Sequence, residues 1–459
     1  MAQMLSRTLA EWASQLQYDH LTPDAIEFAK AFLYDSLGCA FGGARLHDSQ
    51  IVEKHVAEKA AKPECTVFGS GMKTHSVEAA FLNSLMIRAM DYNDIYWKAD
   101  PSHPSDIIPA ASVLCERDGL SGRDLILGIV LAYEIEMRLC EFAVPGIRER
   151  GWHHATLTAY ASPLVAGRIL GLDPDRMQHA LGISACRHLT LGSAVAGKLS
   201  MMKNTVDPMA TRAGVESALL AQNGYTGPEN VLDGKEGMFH CLGEAWDTEK
   251  LIGGLGNGFK IKDCGMKAYP TEALTHTPIT ATLYLLRENK LQAEQVKEVR
   301  IETIARAADI LSDPAKYDPR TKEAADHSLP FCIAAAIVDH KVTPEQFQES
   351  KIMEPRLRAQ LQKIKVKANQ EFEKLFPKLQ PCRVEIETTD GKVFDRRIDI
   401  PKGDPRDPMT QDELKIKFDA LAGPSFSDER REKIRQAVFS LEKLEKVGDL
   451  MKLCVADIR

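Results

Sequence analysis

Between residue 3 and about residue 265 the chain repeats apolar residues at helical spacing, and several of its helices are apolar almost all round. The segments "SVEAAFLNSLMIRAM" (76–90) and "GRDLILGIVLAYEIEMRLCEFA" (122–143) leave hardly any polar face for water. Helices of that kind belong at the centre of a bundle, covered by others. The segments "ATLTAYASPLVAGRILGL" (155–172), "DPDRMQHALGISAC" (173–186) and "MATRAGVESALLAQNG" (209–224) are rich in Ala and Gly, whose small side chains permit close helix approach. "TPDAIEFAKAFLYDSLGCAFGG" (22–43) opens on a Thr-Pro start signal and closes on paired glycines. Residues 1–268 are therefore expected to form the first part of a densely packed helical domain.

The pattern changes after "GGLGNGFKIKDCGMKAYP" (253–270). "TPITATLYLLREN" (277–289) is helical, but "VKEVRIETI" (296–304) alternates with period two and reads as a strand. "LPFCIAAAIVDH" (329–340) is a buried helix. "IKVKAN" (364–369) and "CRVEIETTDGKVFDRRIDI" (382–400) supply further strands, the latter turning at Asp390–Gly391, a strong hairpin signal. A mixed α+β domain is expected over 269–403. "PKGDPRDP" (401–408) is a connector, and the helices of 404–459 carry too little apolar surface to stand alone, so they are expected to pack back on the helical domain. The fold class is mainly α, a large all-helical bundle domain plus a smaller α+β domain. A chain of 459 residues is also too long for one compact core.

A net charge of −7 gives no reason to expect nucleic acid or an acidic membrane as partner, and no apolar run approaches a membrane span. The start "MAQMLSRTLAEWASQL" is amphipathic, without the apolar core of a secretory signal. Ten scattered cysteines include no CxxC pair, so neither a zinc knuckle nor an iron–sulfur cluster is suggested, and a reducing, cytoplasmic setting is the default. HExxH, EF-hand, P-loop and GxSxG patterns are missing, and "GGLGNG" (253–258) neither follows a strand nor opens a clear helix. Asp91, Asn93 and Asp94 lack DDxxD spacing. No metal and no cofactor are expected.

Polar stretches interrupt the helical runs at intervals. "MDYNDIYWKADPSHPSD" (90–106) packs four aspartates, one asparagine and a histidine between apolar helices, a placement that costs free energy unless something pairs with them. "RGWHHATLTAY" (150–160) puts His153 and His154 at a helix start, and "GKLSMMKN" (197–204) sets Lys203 among apolar residues. "MKAYPTEALTH" (266–276) brings Lys267, Tyr269 and His276 to the inferred domain junction, and "AADHSLPF" (324–331) places Asp326, His327 and Ser328 before a buried helix. Singly, each has a plainer reading. Asp91 and Asp94 suit helix caps, Lys203 suits a side chain reaching for water, Asp326–Ser328 suits a cap, and Tyr269–Pro270 suits a turn.

Six fragments in one order resemble the MmgE/PrpD family, which includes 2-methylcitrate dehydratase and cis-aconitate decarboxylase. They are "MDYND…HPSD" (90–106), "RGWHHAT" (150–156), "LSMMK" (199–203), "GPENVLDGKEGMF" (227–239), "KAYP" (267–270) and "DHSLPF" (326–331). The resemblance implies a helical domain, an α+β lid domain inserted before the C-terminal helices, a homodimer, and a metal-independent lyase without flavin or nucleotide, acting on a tricarboxylate. It implies catalytic roles for Asp91, His103, Lys203 and one of His153 and His154. His276 matches the decarboxylase branch; the dehydratase branch has a histidine where this chain has Leu274. Asn93, Tyr96, Lys267, Tyr269 and His327 are the candidate substrate-binding groups. Ile95 and Phe331 stand where the family often has threonine and tyrosine, and Tyr96 or Tyr269 is the candidate source of the missing hydroxyl.

Both branch reactions build negative charge beside a carboxylate, so both need fixed cations and a proton carrier in a shielded site. Lys203 and the histidines supply these, with His103 the first acid–base candidate and Asp91 its orienting group or itself a base. The "HPSD" and "DHSLPF" fragments lean towards dehydration and, with it, propionate catabolism. His153 and His276 lean towards decarboxylation. Dehydration is the first expectation, decarboxylation or epimerisation the alternative, and a non-catalytic carboxylate-binding dimer the reading outside enzymes.

Overall fold

The computed structural model describes residues 4–59, 61–196, 199–243 and 245–457. Its central helix, Gly122–Phe142, is buried along nearly its whole length and opens with a capping box between Ser121 and Asp124. Helices Pro23–Gly43, Ile108–Asp118 and Ala155–Ile169 pack against it. Ser76–Arg88 and Met202–Gln222 lie beyond and pack on each other. A Cβ on Gly43 would sit 1.9 Å from the Met86 carbonyl oxygen, and one on Gly214 would sit 2.1 Å from Ser162 Oγ. Glycine at these two points sets how closely the helices lie.

Buried apolar residues from Leu5 to Cys264 share one core with residues of the C-terminal segment, from Leu414 to Cys454. Phe418, on helix Gln411–Ala422, stacks on Tyr34 with centroids 4.1 Å apart, and Phe426 lies 4.2 Å from Phe41. The tail helices complete the core that the first helices begin. Among the described residues no helix is long and apolar enough to cross a membrane.

A second core runs from Leu274 to Ile386. Its sheet has the order Ile364–Ala368, Val296–Thr303, Cys382–Thr388, Val393–Ile398; the first pair is parallel and the others antiparallel. Cys382, Val384 and Ile386 point inward while Arg383 points out, the period-two pattern of a half-covered strand. Gly391 takes φ +84° at the hairpin turn. Helices His276–Asn289 and Leu329–Asp339 pack within this core.

Strands interrupt the helices of the first 265 residues at two places: a short antiparallel pair, Cys65–Thr66 with Lys73–Thr74, and a sheet at the domain junction. Asp94–Trp97 is a strand, paired antiparallel with Pro101–Ser102 on one side and Gly265–Met266 on the other. The run Ile95-Tyr96-Trp97 has the β-branched and aromatic character of a strand, hidden by the aspartates around it. This small sheet is one wall of a cleft of about 600 Å³ between the two cores, whose lining includes Ile95, Tyr96, Lys267, His276, Pro377 and Gly403. Trp97 bridges the cleft's edge by packing its ring against Phe376, 5.6 Å away. Gly403 takes φ +92°, and a Cβ there would lie 1.8 Å from the Met266 carbonyl oxygen, so only glycine lets the connector close on this wall.

Candidate active site

Helix Ser76–Arg88 ends in Arg88, and three residues later Asp91 adopts φ +52°. A left-handed backbone costs a residue with a side chain about 1–3 kcal/mol, so something must hold it. The Asp91 carboxylate does. Its Oδ1 accepts from Arg88 Nη1 at 2.6 Å and from Lys267 Nζ at 2.7 Å. Lys203 Nζ lies 3.1 Å from Oδ2 as an ion pair, off the direction of a hydrogen bond. Lys267 Nζ also donates to the carbonyls of Asp91 and Thr271, both at 3.2 Å. All four side chains are buried. Burial alone would push the Asp91 carboxyl up; Lys203, Lys267 and Arg88 outweigh it and hold the group well below the ordinary carboxylate range. Burial pulls Lys203 down from its usual 10.5, against the opposing pull of Asp91. Three cationic side chains thus share one carboxylate.

Arg88 also faces Asp106 Oδ2 at 3.5 Å and Asp207 Oδ2 at 3.7 Å. Asp207 joins this cluster to the histidines, because His154 Nε2 lies 3.4 Å from its Oδ1. The His154 ring is 3.9 Å from that of His153 and 5.5 Å from that of His103. His103 Nδ1 donates to the Asp94 carbonyl at 2.6 Å. A carbonyl only accepts, so Nδ1 carries the hydrogen and Nε2 of the neutral ring is a bare acceptor. Burial first and Arg88 second push His103 well below its usual 6.5, which keeps it neutral at pH 7. His153 has the opposite tautomer: its Nδ1 accepts from the Ala155 N–H at 3.1 Å, and burial likewise pushes it down.

From the other core, His276 lines the cleft, is pushed down to about 3 by burial and then by Lys267, and has no partner at Nε2 among the described residues. His327 is fixed at Nδ1 by Asp326, 2.5 Å away. Lys322 Nζ bonds both Asp326 and the Ala89 carbonyl at 2.9 Å, tying this segment to the turn before Asp91. Ser328 caps the next helix by accepting from the Phe331 N–H.

The cleft lining reaches this buried cluster through Lys267 and His276, with Asp91 and Lys203 behind them. Three expected substrate ligands are otherwise engaged. Asn93 is fully buried, and its Nδ2 donates to Ser105 Oγ at 2.9 Å and Asp106 Oδ1 at 3.1 Å. Tyr96 donates its hydroxyl to Glu141, and the Tyr269 hydroxyl pairs with Thr280 Oγ1 at 3.2 Å. Neither tyrosine offers a free hydroxyl to replace those lost at Ile95 and Phe331. Ile95 does line the cleft, whereas Phe331 is core, packed 5.7 Å from Phe347. The reading of Asp91 and Asp94 as helix caps also fails, since one sits in a turn and the other in a strand.

Sequence reasoning missed Arg88, Asp207 and Lys322. A basic residue ending a helix, an acid inside one and a lysine in a short polar helix each look ordinary on their own. One metal-type grouping exists among the described residues: His153, His154 and Asp207 bring ligand atoms within 4.8 Å of one another. Arg88 already supplies positive charge to Asp207 there.

The MmgE/PrpD N-terminal domain family matches residues 7–250, and the MmgE/PrpD C-terminal domain family matches residues 269–443. The cis-aconitate decarboxylase of Aspergillus terreus is 29% identical, over 97% of this chain and 94% of that protein. The human cis-aconitate decarboxylase is 25% identical, over 99% and 95%. The 2-methylcitrate dehydratase of Salmonella typhimurium is 22% identical, over 76% and 74%. With one domain family covering more than half its length and a second following in order, this chain belongs to the MmgE/PrpD family.

Proposed function

We propose that this protein is a lyase acting on a tricarboxylate, with cis-aconitate decarboxylation now ahead of 2-methylcitrate dehydration. The change of order rests on the relatives: likeness to cis-aconitate decarboxylases extends over nearly the whole chain, and likeness to the Salmonella dehydratase over three quarters of it. The observation that carries the lyase reading is the cluster of Arg88, Lys203 and Lys267 around one carboxylate, next to a cleft. Surplus positive charge in a buried site is costly until an anion neutralises it. A tricarboxylate brings that anion.

In decarboxylation the bond to the departing carboxylate breaks, carbon dioxide leaves, and the electron pair stays on the substrate as a carbanion conjugated to a remaining carboxylate. Lys203 and Lys267 stabilise that charge, which is larger in the transition state than in the ground state. A proton must then reach carbon. His103 and His276 are held neutral, which makes them acceptors at pH 7, whereas His153 Nδ1 is already taken by the Ala155 N–H. Lys203, a stronger acid than an ordinary lysine, is the fitting donor, and solvent restores its proton after turnover. In dehydration, the second reading, the bare Nε2 of His103 would take the carbon-bound proton and an acid would meet the departing hydroxide.

The chain organisation we propose is a helical domain over 1–268 and 404–459 with an α+β lid over 269–403, which matches the distribution of the two cores. Homodimer formation is supported by exposed Leu189, Leu191, Met201 and Met202 beside the Lys203 helix. A reducing, cytoplasmic setting is supported by eight buried free thiols. The functional test is incubation with cis-aconitate, citrate and 2-methylcitrate while following carbon dioxide release and alkene absorbance. Carbon dioxide from cis-aconitate supports the first reading, and alkene formed from 2-methylcitrate supports the second. No turnover and no binding of any of the three would overturn both.

A further inference from the structure

Lys417 sits on helix Gln411–Ala422, 150 residues beyond Lys267 and 325 beyond Tyr92, and is 5% exposed. Its ammonium donates to the Tyr92 carbonyl at 2.6 Å and to the Lys267 carbonyl at 2.9 Å. It lies 2.7 Å from Asp35 Oδ1, on helix Pro23–Gly43, and 4.0 Å from the centre of the Tyr92 ring. Those two carbonyls belong to the residue after Asp91 and to the residue whose side chain grips Asp91. One buried cation from the end of the chain therefore clamps the main chain on both sides of the Asp91–Lys267 ion pair. Two hydrogens of the ammonium go to these carbonyls, and Asp35 faces it as an ion pair.

We propose that Lys417, held by Asp35, is a positioning residue: it fixes the Tyr92 and Lys267 backbones so that Lys267 and Lys203 keep their places on Asp91. The proposal rests on the lyase reading of that cluster. Without Lys417 both carbonyls lose their partner, and each is free to turn towards another donor. A shift of 1 Å at a reacting centre is worth about 100-fold in rate. A purely structural ion pair behaves differently, because a buried pair replaced by two apolar residues of similar size commonly leaves stability unchanged or improved.

The test compares Lys417→Met with the double variant Asp35→Leu/Lys417→Met, scoring thermal unfolding, kcat and KM on cis-aconitate, and the crystal structure. The single variant is expected to unfold earlier and to lose about 10–100-fold, mainly in kcat. The double variant should regain thermal stability while its kcat stays low and the Asp91–Lys267 contact lengthens from 2.7 Å. A double variant with wild-type kcat would overturn the proposal. If the wild-type protein turns over none of the tricarboxylates, the lyase reading has failed by itself, and the crystal structure still decides: an unchanged contact refutes positioning, and a displaced one supports it.

Discussion

Asp91→Asn is the sharpest perturbation available, because it removes one charge and almost no volume. Arg88, Lys203 and Lys267 would then face each other around a neutral amide, inside a site where each of them is 2% exposed. Removing one partner of a buried pair costs about 3–5 kcal/mol, since the remaining charge is left uncompensated. At roughly 3 kcal/mol per M of urea, the midpoint of the unfolding step that includes the helical core should fall by about 1–2 M. Part of the loss should return with a saturating tricarboxylate, which supplies the missing negative charge; at 100 times Kd a ligand adds about 2.7 kcal/mol.

The pH dependence gives the argument its sign. The Asp91 carboxyl is depressed in the folded protein, so its contribution is present above the ordinary carboxylate pKa of 3.8 and is lost as pH falls through the lower folded value. The difference between wild type and Asp91→Asn should hold constant from pH 8 to about 5 and shrink only below about 4. Equal urea midpoints at pH 7 would refute the reasoning. So would a difference that fades between pH 7 and 5, because the carboxyl would then be titrating above its ordinary range, with burial outweighing the cations.

Lys203→Met should lower kcat by about 10²–10³-fold, as expected for one fixed electrostatic group, with little loss of melting temperature, since Asp91 keeps Arg88 and Lys267. His103→Gln should abolish most turnover and also flatten stability below pH 6.5. A histidine held down in the folded state contributes stability above its unfolded pKa that is lost as pH falls through its folded one, and urea titrations at pH 6.5 and 5 measure it. For the same reason the acid limb of kcat/KM in the wild-type enzyme should lie below pH 6.5. Gly403→Ala should raise KM and speed proteolysis of the connector, because its Cβ would meet the Met266 carbonyl and force the 401–406 wall off the cleft.

The pattern of helices could be read from the sequence because bundle cores demand an almost continuous apolar surface, and "GRDLILGIVLAYEIEMRLCEFA" has no other use. The Asp390–Gly391 hairpin was legible for a similar reason: few residues other than glycine accept the φ of +84° found at Gly391. The strand Asp94–Trp97 was not, since four residues are too few to show a period. Within the site, polar residues crowded into one stretch drew attention, as Asp91 and His103 did. Arg88, Asp207 and Lys417 did not, because each is one charged residue of a helix whose sequence neighbours give no sign of burial. Lys417 in particular is camouflaged by Lys415, which faces solvent and pairs with Asp419. Only distance in space separates the buried lysine from the exposed one.

The chain carries a net charge of −7, yet the substrate we propose is a trianion, and the acids beneath the site explain how both hold. Asp94, Asp106 and Glu136 are all buried close to the cationic cluster, and ionised together they would cancel it. They do not ionise together. Burial lifts Asp94 to about 6 and Glu136 to about 8, and it lifts Asp106 well above the ordinary range, with Asp207, Asp94 and Glu136 each adding repulsion there. Ser102 and Thr158 both donate to Glu136 Oε1 and favour its charged form, but burial outweighs them. Asp91 and Asp207, both held low, stay ionised, and Asp94 at about 6 is largely ionised at pH 7 as well, which leaves Asp106 and Glu136 as the silent acids. The positive field of the cleft is therefore made as much by silencing nearby acids as by placing lysines. Glu136→Gln, which keeps the neutral shape, should accordingly leave tricarboxylate affinity at pH 7 within about two-fold; a large gain in affinity would mean that Glu136 had been ionised all along and that the field has another origin.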